Sequence, residues 1–311
     1  MSAKKTILIT GGTGFVGSHL VDALLSRGER NIHVTHYGNT TGHVAKILPQ
    51  TNLHSIDLTK AEATSQLFKE IQPTQIYHLA SLAGVGTSFD QVNRTLETNT
   101  QLQLSVLLAM TEHCPQAKLL TIGTALEYKP TEQPLEETSQ LGPNNPYGVS
   151  KITQEMLSLW FHQQHNLNIV LTRSFNHFGP RQAPGFVIAD FSKQIAQDPN
   201  QISVGNLEPI RDMTYVTDIV KAYILLMDQG IAGEIYNVGS GKGYTIRHIL
   251  NEMIRVYGKG IEIVIDKDRY RPIDVPKVVA NIDKIKKLGW QPVTPLDTAL
   301  KETINYYQDN L

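Results

Sequence analysis

The sequence predicts an α/β protein: a doubly wound parallel sheet with helices on both faces, and a smaller domain interleaved towards the C-terminus. Three observations carry this. Strand-like apolar runs alternate with helix-like runs from Ile7 to Arg173, and the first strand leads straight into a turn with glycines at 11, 14 and 17. From Ser174 the alternation turns irregular, broken by Pro180, Pro184, Gly185, Pro199, Gly205 and Pro209.

Taken in order, Ile7–Thr10 reads as a strand, Gly11 to Gly17 as a tight turn, and the run carrying Val16, Leu20, Ala23 and Leu24 as a helix. Glycines at this spacing let the turn close, let the backbone approach a pyrophosphate, and let the new helix pack on its strand. The unpaired N–H groups and partial positive charge at the helix start suit a dinucleotide phosphate. Ile32–Thr35 alternates as a second strand. Leu53–Leu58 and Gln75–Ala80 follow as strands, separated by a helix from Ala61 to Ile71. Leu102–Met110 is apolar around most of its circumference and predicts a buried helix ending near Cys114-Pro115, where proline cannot continue it. Lys118–Gly123 is the next strand, Tyr147 to about His165 a helix, and Ile169–Arg173 a strand. The expected organisation is a dinucleotide-binding domain over 1–173, to which 213–240 returns, and a substrate-binding domain over 174–212 and 241–311.

Bulk properties narrow the class of ligand. The chain has 311 residues, 41% of them apolar, a formal net charge of −1 and one cysteine. Near-neutral charge supplies no general field for nucleic acid or an anionic membrane, so an anionic ligand must be gripped locally. One cysteine makes no internal disulfide, and no apolar run reaches membrane-spanning length, so a cytoplasmic protein without nucleic-acid or membrane partners is expected.

Chemistry concentrates further along. Tyr147 and Lys151 are four apart at a helix start and hence share one face. An ammonium beside a phenol favours the phenolate, and Lys151 is expected to draw the Tyr147 pKa down from its ordinary value of about 10. Thr124 adds a hydroxyl at the end of the preceding strand. Near His36, where such domains read the adenosine ribose, the usual carboxylate is missing. His36, Tyr37, Asn39 and Thr40 stand there instead, which leaves NAD and NADP both open and leans towards NADP. His162 and His165 are three apart but lack an acidic or cysteine partner, so no metal site is expected.

With GGTGFVG at 11–17, HLAS at 78–81, Asn99, the set Thr124, Tyr147 and Lys151, and RSFNHFGP at 173–180, the whole chain resembles the extended short-chain dehydrogenase/reductase family of nucleotide-sugar enzymes. RSFNHFGPRQAPGFV, VGNLEPIRD at 204–212 and RYRPIDVPKV at 269–278 are most similar to the GDP-4-keto-6-deoxy-D-mannose reductases, then to GDP-mannose 4,6-dehydratases. The resemblance implies that Tyr147 is the general acid, that Lys151 holds the nicotinamide ribose, and that Thr124 orients the sugar oxygen. It implies a cofactor cleft of Gly11, Gly14, Phe15, Val16, Gly17, His36, Asp57, Leu58, Leu79, Ala80, Ser81, Asn99, Tyr147 and Lys151. It further implies substrate contacts from Thr124, Asn176, Val187, Asn206, Arg211 and Arg271, arginine suiting phosphate through its always-charged planar fork.

The implied activity is NAD(P)H-dependent reduction of the 4-keto group of a GDP-4-keto-6-deoxyhexose. The alternative is a nucleotide-sugar 4,6-dehydratase or 4-epimerase with tightly bound NAD(P). The dehydratases carry a glutamate two residues after the Thr124 position, where this chain has Leu126. Glu127, one residue later, is expected to face elsewhere. The resemblance also implies a homodimer joined through a four-helix bundle of the helices around 93–113 and 147–165.

Overall fold

The structure, a computed structural model, describes residues 5–38, 41–198, 200–270 and 275–310. Two compact units divide it. The first comprises 1–129, 140–174 and 220–236, and the second 130–139, 175–219 and 237–311.

In the first unit β1 (Ile7–Thr10), buried throughout, passes through the glycine turn into α1 (Phe15–Ser26), followed by β2 (Ile32–His36) and β3 (Leu53–Ser55). α2 (Ala61–Ile71), β4 (Gln75–His78), the short α3 (Val85–Asp90) and α4 (Val92–His113) come next. Then come β5 (Lys118–Thr124), α5 (Pro146–His165) and β6 (Asn168–Ser174). The second unit takes over with β7 (Asn176–Phe178), α6 (Val187–Gln197), β8 (Gln201–Val204) and β9 (Ile210–Tyr215). α7 (Val216–Gln229) and β10 (Ile235–Val238) return to the first sheet. The second unit ends with β11 (Gly243–Thr245), α8 (Ile246–Tyr257), β12 (Glu262–Ile265), β13 (Lys277–Val278), α9 (Asp283–Lys286) and α10 (Leu296–Asp309).

The seven-stranded sheet has the order β10-β6-β5-β4-β1-β2-β3, with every pairing from β3 through to β6 parallel. The chain winds outwards from β1 in both directions, so strand order reverses between β1 and β4. Ligands of open α/β sheets bind in that crevice, beyond the strand ends. The glycine turn follows β1 there, and Leu79-Ala80-Ser81 follows β4. On one face of the sheet Phe68 of α2, Val106, Leu107 and Met110 of α4, and Phe161 of α5 pack on Leu8, Ile76, Leu119, Ile169 and Leu171.

Two elements differ from expectation. The strand at 53–58 stops at Ser55, because Asp57 Oδ1 accepts from the Thr59 N–H (3.0 Å) and hydroxyl (2.7 Å) and turns the chain. α4 starts ten residues before Leu102, because its first turns bury Thr95, Asn99 and Gln103, a polar stripe that apolar periodicity does not register.

The second unit is built around β9, which pairs antiparallel with β11 and parallel with β13 and β7, while β8 and β12 form a separate parallel pair. The second unit takes in 130–139 and 213–219, and the segment that returns to the first unit is 220–236. Asp212, buried in β9, accepts from the backbone N–H groups of Ser240, Gly241 and Ala280 and from the Ser240 hydroxyl, tying three segments together. Among the described residues no helix is long and apolar enough to cross a membrane.

Phe68 is fully buried within the α2–α4 layer. Phe68→Ala is expected to destabilise the protein by about 3–5 kcal/mol, read from the midpoint of urea denaturation at unchanged slope.

Candidate active site

The glycine turn is shaped for close approach. Gly11 takes φ +65°, in the left-handed region, and a Cβ there would stand 2.9 Å from the Ala80 backbone. At Gly17 a Cβ would press on the backbone of Gly11 and Gly12, so the start of α1 lies directly against its own turn. Gly14 is the N-cap, extended and exposed, and leaves the first N–H groups of α1 without a side-chain cap. Phe15 and Val16 are half-buried on the first turn. A cradle that side chains would fill, at a helix N-terminus beside the sheet's reversal point, fits a dinucleotide pyrophosphate.

Around that crevice, His36 is buried at the end of β2 and donates from Nδ1 to the Gly38 carbonyl at 2.9 Å. Asp57 turns the chain after β3, Leu58 is buried, and Leu79, Ala80 and Ser81 are half-buried beyond β4. Asn99 is a buried crosslink. Its Oδ1 accepts from the Leu82 N–H (2.8 Å) and the Ser81 hydroxyl (3.2 Å), and its Nδ2 donates to Ser150 Oγ at 2.8 Å. Ser150 in turn donates to the Tyr147 carbonyl, so the segment after β4 is tied to the first turn of α5. His78 bonds Thr10 Oγ1 at 2.7 Å, and burial together with the nearby Lys151 pushes it down to about 3, so it stays neutral.

α5 begins where the sequence encodes a start: Asn145 caps the Gly148 N–H at 2.8 Å and Pro146 occupies the first turn. This sets Tyr147 and Lys151 beside the end of β5. Thr124 neighbours the Tyr147 phenol and, against the larger effect of burial, pulls its pKa down. Lys151 Nζ donates to the Ile122 carbonyl at 2.8 Å and stands 5.9 Å from the centre of the Tyr147 ring. The electrostatics differ from the expected pull on the phenol. Burial, reinforced by the charge of Glu127, raises the Tyr147 pKa above its ordinary value, while burial pushes Lys151 down to about 8. In the absence of ligand the pair is therefore a phenol that keeps its proton and a lysine poised near neutrality.

Beneath this set lies an ion cluster that the sequence reading did not assemble. Arg173 of β6 makes a two-pronged bond to Glu155 of α5 (Nε–Oε2 2.9 Å, Nη2–Oε1 2.7 Å) and lies over the Tyr128 ring at 4.7 Å. Glu127, wholly buried, folds inward from the turn after β5. Its Oε1 accepts from the Thr124 N–H at 2.6 Å, and its Oε2 stands 3.7 Å from Arg173 Nε. The spacing of Lys151 and Glu155 on one helix face was the available signal for half of this cluster. The other half depends on Arg173 lying beside β5 in the sheet.

The nucleotide-site candidates in the second unit are more open. Asn176 is exposed at the start of β7, and Val187 half-buried at the start of α6. Asn206 accepts from the Glu208 N–H, and half-buried Arg211 lies on β9 opposite Tyr244. Arg271 lies outside the described residues.

A parallel sheet wound from a glycine turn, with threonine, tyrosine and lysine gathered at the β5 end, defines an enzyme of the extended short-chain dehydrogenase/reductase class. The chain matches the family described as GDP-mannose 4,6 dehydratase over residues 8–303 and belongs to it. It is 29% identical to GDP-6-deoxy-D-mannose reductase of Pseudomonas aeruginosa, over 99% of this chain and 98% of that one. Among solved structures it is similar to RMD from Pseudomonas aeruginosa complexed with NADPH, with a TM-score of 0.86, 28% identity, and 99% and 100% of the two chains covered. It is also similar to UDP-glucose 4-epimerase from Thermotoga maritima with UDP-glucose, with a TM-score of 0.88, 29% identity, and 98% and 99% covered.

Arg173→Met would leave Glu127 and Glu155 buried without their guanidinium. A loss of about 3–5 kcal/mol is expected. Carboxyls buried without a cation have a folded-state pKa above the unfolded one, so the native state binds more protons and loses stability as pH rises through that value. The deficit of Arg173→Met should therefore be larger at about pH 8 than at about pH 6 in urea titrations.

Proposed function

We propose that the protein reduces the 4-keto group of a GDP-4-keto-6-deoxyhexose, with Tyr147 as proton donor. NAD or NADP is its cofactor, and the bound nicotinamide supplies the hydride. What carries the reading is Tyr147 itself: a half-buried phenol whose proton is held, beside Thr124 and over the Lys151 ammonium. Reduction of a ketone to an alcohol consumes one proton at the carbonyl oxygen, and a phenol that keeps its proton to the moment of transfer is suited to deliver it. Thr124 fixes that oxygen, and Lys151 holds the nicotinamide ribose. Gly11, Gly14, Phe15, Val16 and Gly17 hold the pyrophosphate. His36 offers the adenosine ribose an imidazole rather than a carboxylate, which favours NADP. Asn176, Val187, Asn206, Arg211 and Arg271 are assigned to the nucleotide-sugar.

The dehydratases that this chain resembles carry a glutamate two residues beyond the Thr124 position, as an acid and base for eliminating water. Leu126 stands there, and the adjacent Glu127 is turned into the interior as a cap on Thr124. This favours reduction over dehydration. With GDP-4-keto-6-deoxy-D-mannose and NADPH, loss of the reduced-nicotinamide absorbance is expected, and Tyr147→Phe should lower kcat by about 10²-fold or more with NADPH affinity little changed. With GDP-mannose in its place, product formation without net cofactor consumption would instead establish the dehydratase or epimerase reaction.

We further propose that the protein works as a homodimer. α4 packs along α5, and their outer faces expose Leu108, Val149, Met156 and Trp160, the last two at 50% and 52%. Val149, Met156 and Trp160 lie seven and four apart, which puts them on one stripe of α5, and a second copy would bury it in a four-helix bundle. Light scattering should give twice the chain mass, and Trp160→Glu should give the monomer mass.

A further inference from the structure

Glu127 has no part in the proton and hydride transfers above, yet it occupies the most enclosed position near them. Its Oε1 is committed to the Thr124 N–H, and its Oε2 meets no donor. Near Oε2 stands Arg173 Nε at 3.7 Å, which is too long for a hydrogen bond, and the same nitrogen donates to Glu155 Oε2 at 2.9 Å, so the two carboxyls converge on one guanidinium nitrogen. Arg173 bonds Glu155 through both Nε and Nη2, so two carboxyls lie against one guanidinium in the interior. An uncompensated charge there is costly, as is a buried oxygen with nothing to bond. One proton placed between Glu127 Oε2 and Glu155 removes both costs, because it supplies the missing donor and brings the cluster to neutrality. Burial and the Glu155 charge both push the Glu127 carboxyl well above its ordinary range, in the same direction. Room has been made for the group: a Cβ at Gly123 would stand 2.5 Å from Glu127 Oε1.

We propose that Glu127 is a positioning residue: a carboxylic acid sharing one proton with Glu155, which clamps the Thr124 amide and thereby sets where the Thr124 hydroxyl meets the substrate oxygen. The part concerning the substrate rests on the reduction proposed above. The groups facing Glu127 are Glu155, Tyr147 and Lys151 from α5, Arg173 from β6, and Thr124 from β5, with Tyr128 next in the chain. Ionisation of Glu127 would add a negative charge that holds protons on Tyr147 and Lys151. The shared proton therefore keeps the cluster neutral beneath the working pair.

Three measurements on the full chain test this. Infrared spectra near neutral pH should contain a protonated-carboxyl band that Glu127→Gln abolishes; identical spectra would overturn the shared proton. Amide exchange at Thr124 should be fast in Glu127→Val and protected in Glu127→Gln, whose amide oxygen can still accept from the Thr124 N–H and whose NH2 can replace the shared proton; equal protection in both would overturn the clamp. In turnover, Glu127→Val should lower kcat about tenfold with the KM for NADPH unchanged, and Glu127→Gln should restore most of it. In a Thr124→Ala background, Glu127→Val should cost less than about twofold, because the effect acts through Thr124. Full additivity would overturn the role. Should Glu127→Val not fold, the infrared band and the exchange of Glu127→Gln against the wild type decide. Absence of turnover by the wild type would count against the proposed reduction alone, since infrared and exchange need no sugar.

Discussion

The two-pronged bond from Arg173 to Glu155 is the interaction on which the active end of the sheet depends. It joins β6 to α5 from below, one helical turn from Lys151, in a region without solvent to stand in for either partner. Breaking such a pair costs far more than forming it gains, because the remaining charge stays buried. The register of β6 on β5 is fixed to the same point: Gly123 opposes Arg173 and Thr124 opposes Ser174. Helix, strand and strand end thus move as one body, and the Thr124 and Tyr147 hydroxyls are held by that body rather than by loops.

A second network, wholly neutral, fixes the other side of the same helix turn. Asn99 joins the segment after β4 to Ser150, Gln154 donates to the Asn99 carbonyl at 2.6 Å, and Ser150 holds the Tyr147 carbonyl. These bonds are short and directed, which gives a position more definition than apolar packing can, although Gln154 Oε1 is buried without a partner among the described residues. Asn99, implied as a cofactor contact by resemblance, has its side-chain oxygen and nitrogen engaged in building the wall of the crevice.

Much of the fold was legible because it is written in local periods. The glycine turn, the alternation from Ile7 to Arg173 and the helix opening at Tyr147 each leave a mark over a few residues. The first ten residues of α4 left none, since Thr95, Asn99 and Gln103 bury a polar stripe, and the third strand ended early because Asp57 captured its own backbone. Thr124, Tyr147 and Lys151 were found by residue type and spacing, whereas Glu127 stood out only as a carboxyl one place from where an eliminating enzyme carries it.

By itself the sequence determined the class of fold, the glycine turn and the pairing of Tyr147 with Lys151 on one helix face, because each depends on neighbours a few residues away. Only the tertiary structure decided their electrostatic state. Lys151 was expected to lower the Tyr147 pKa, yet burial raises it, and a carboxyl that resembled a displaced catalytic base turned out to cap Thr124 beside Glu155 and Arg173. Desolvation and charge pairing depend on what surrounds a group in space, and the residues that surround Tyr147 and Glu127 come from strands and helices up to a hundred residues apart.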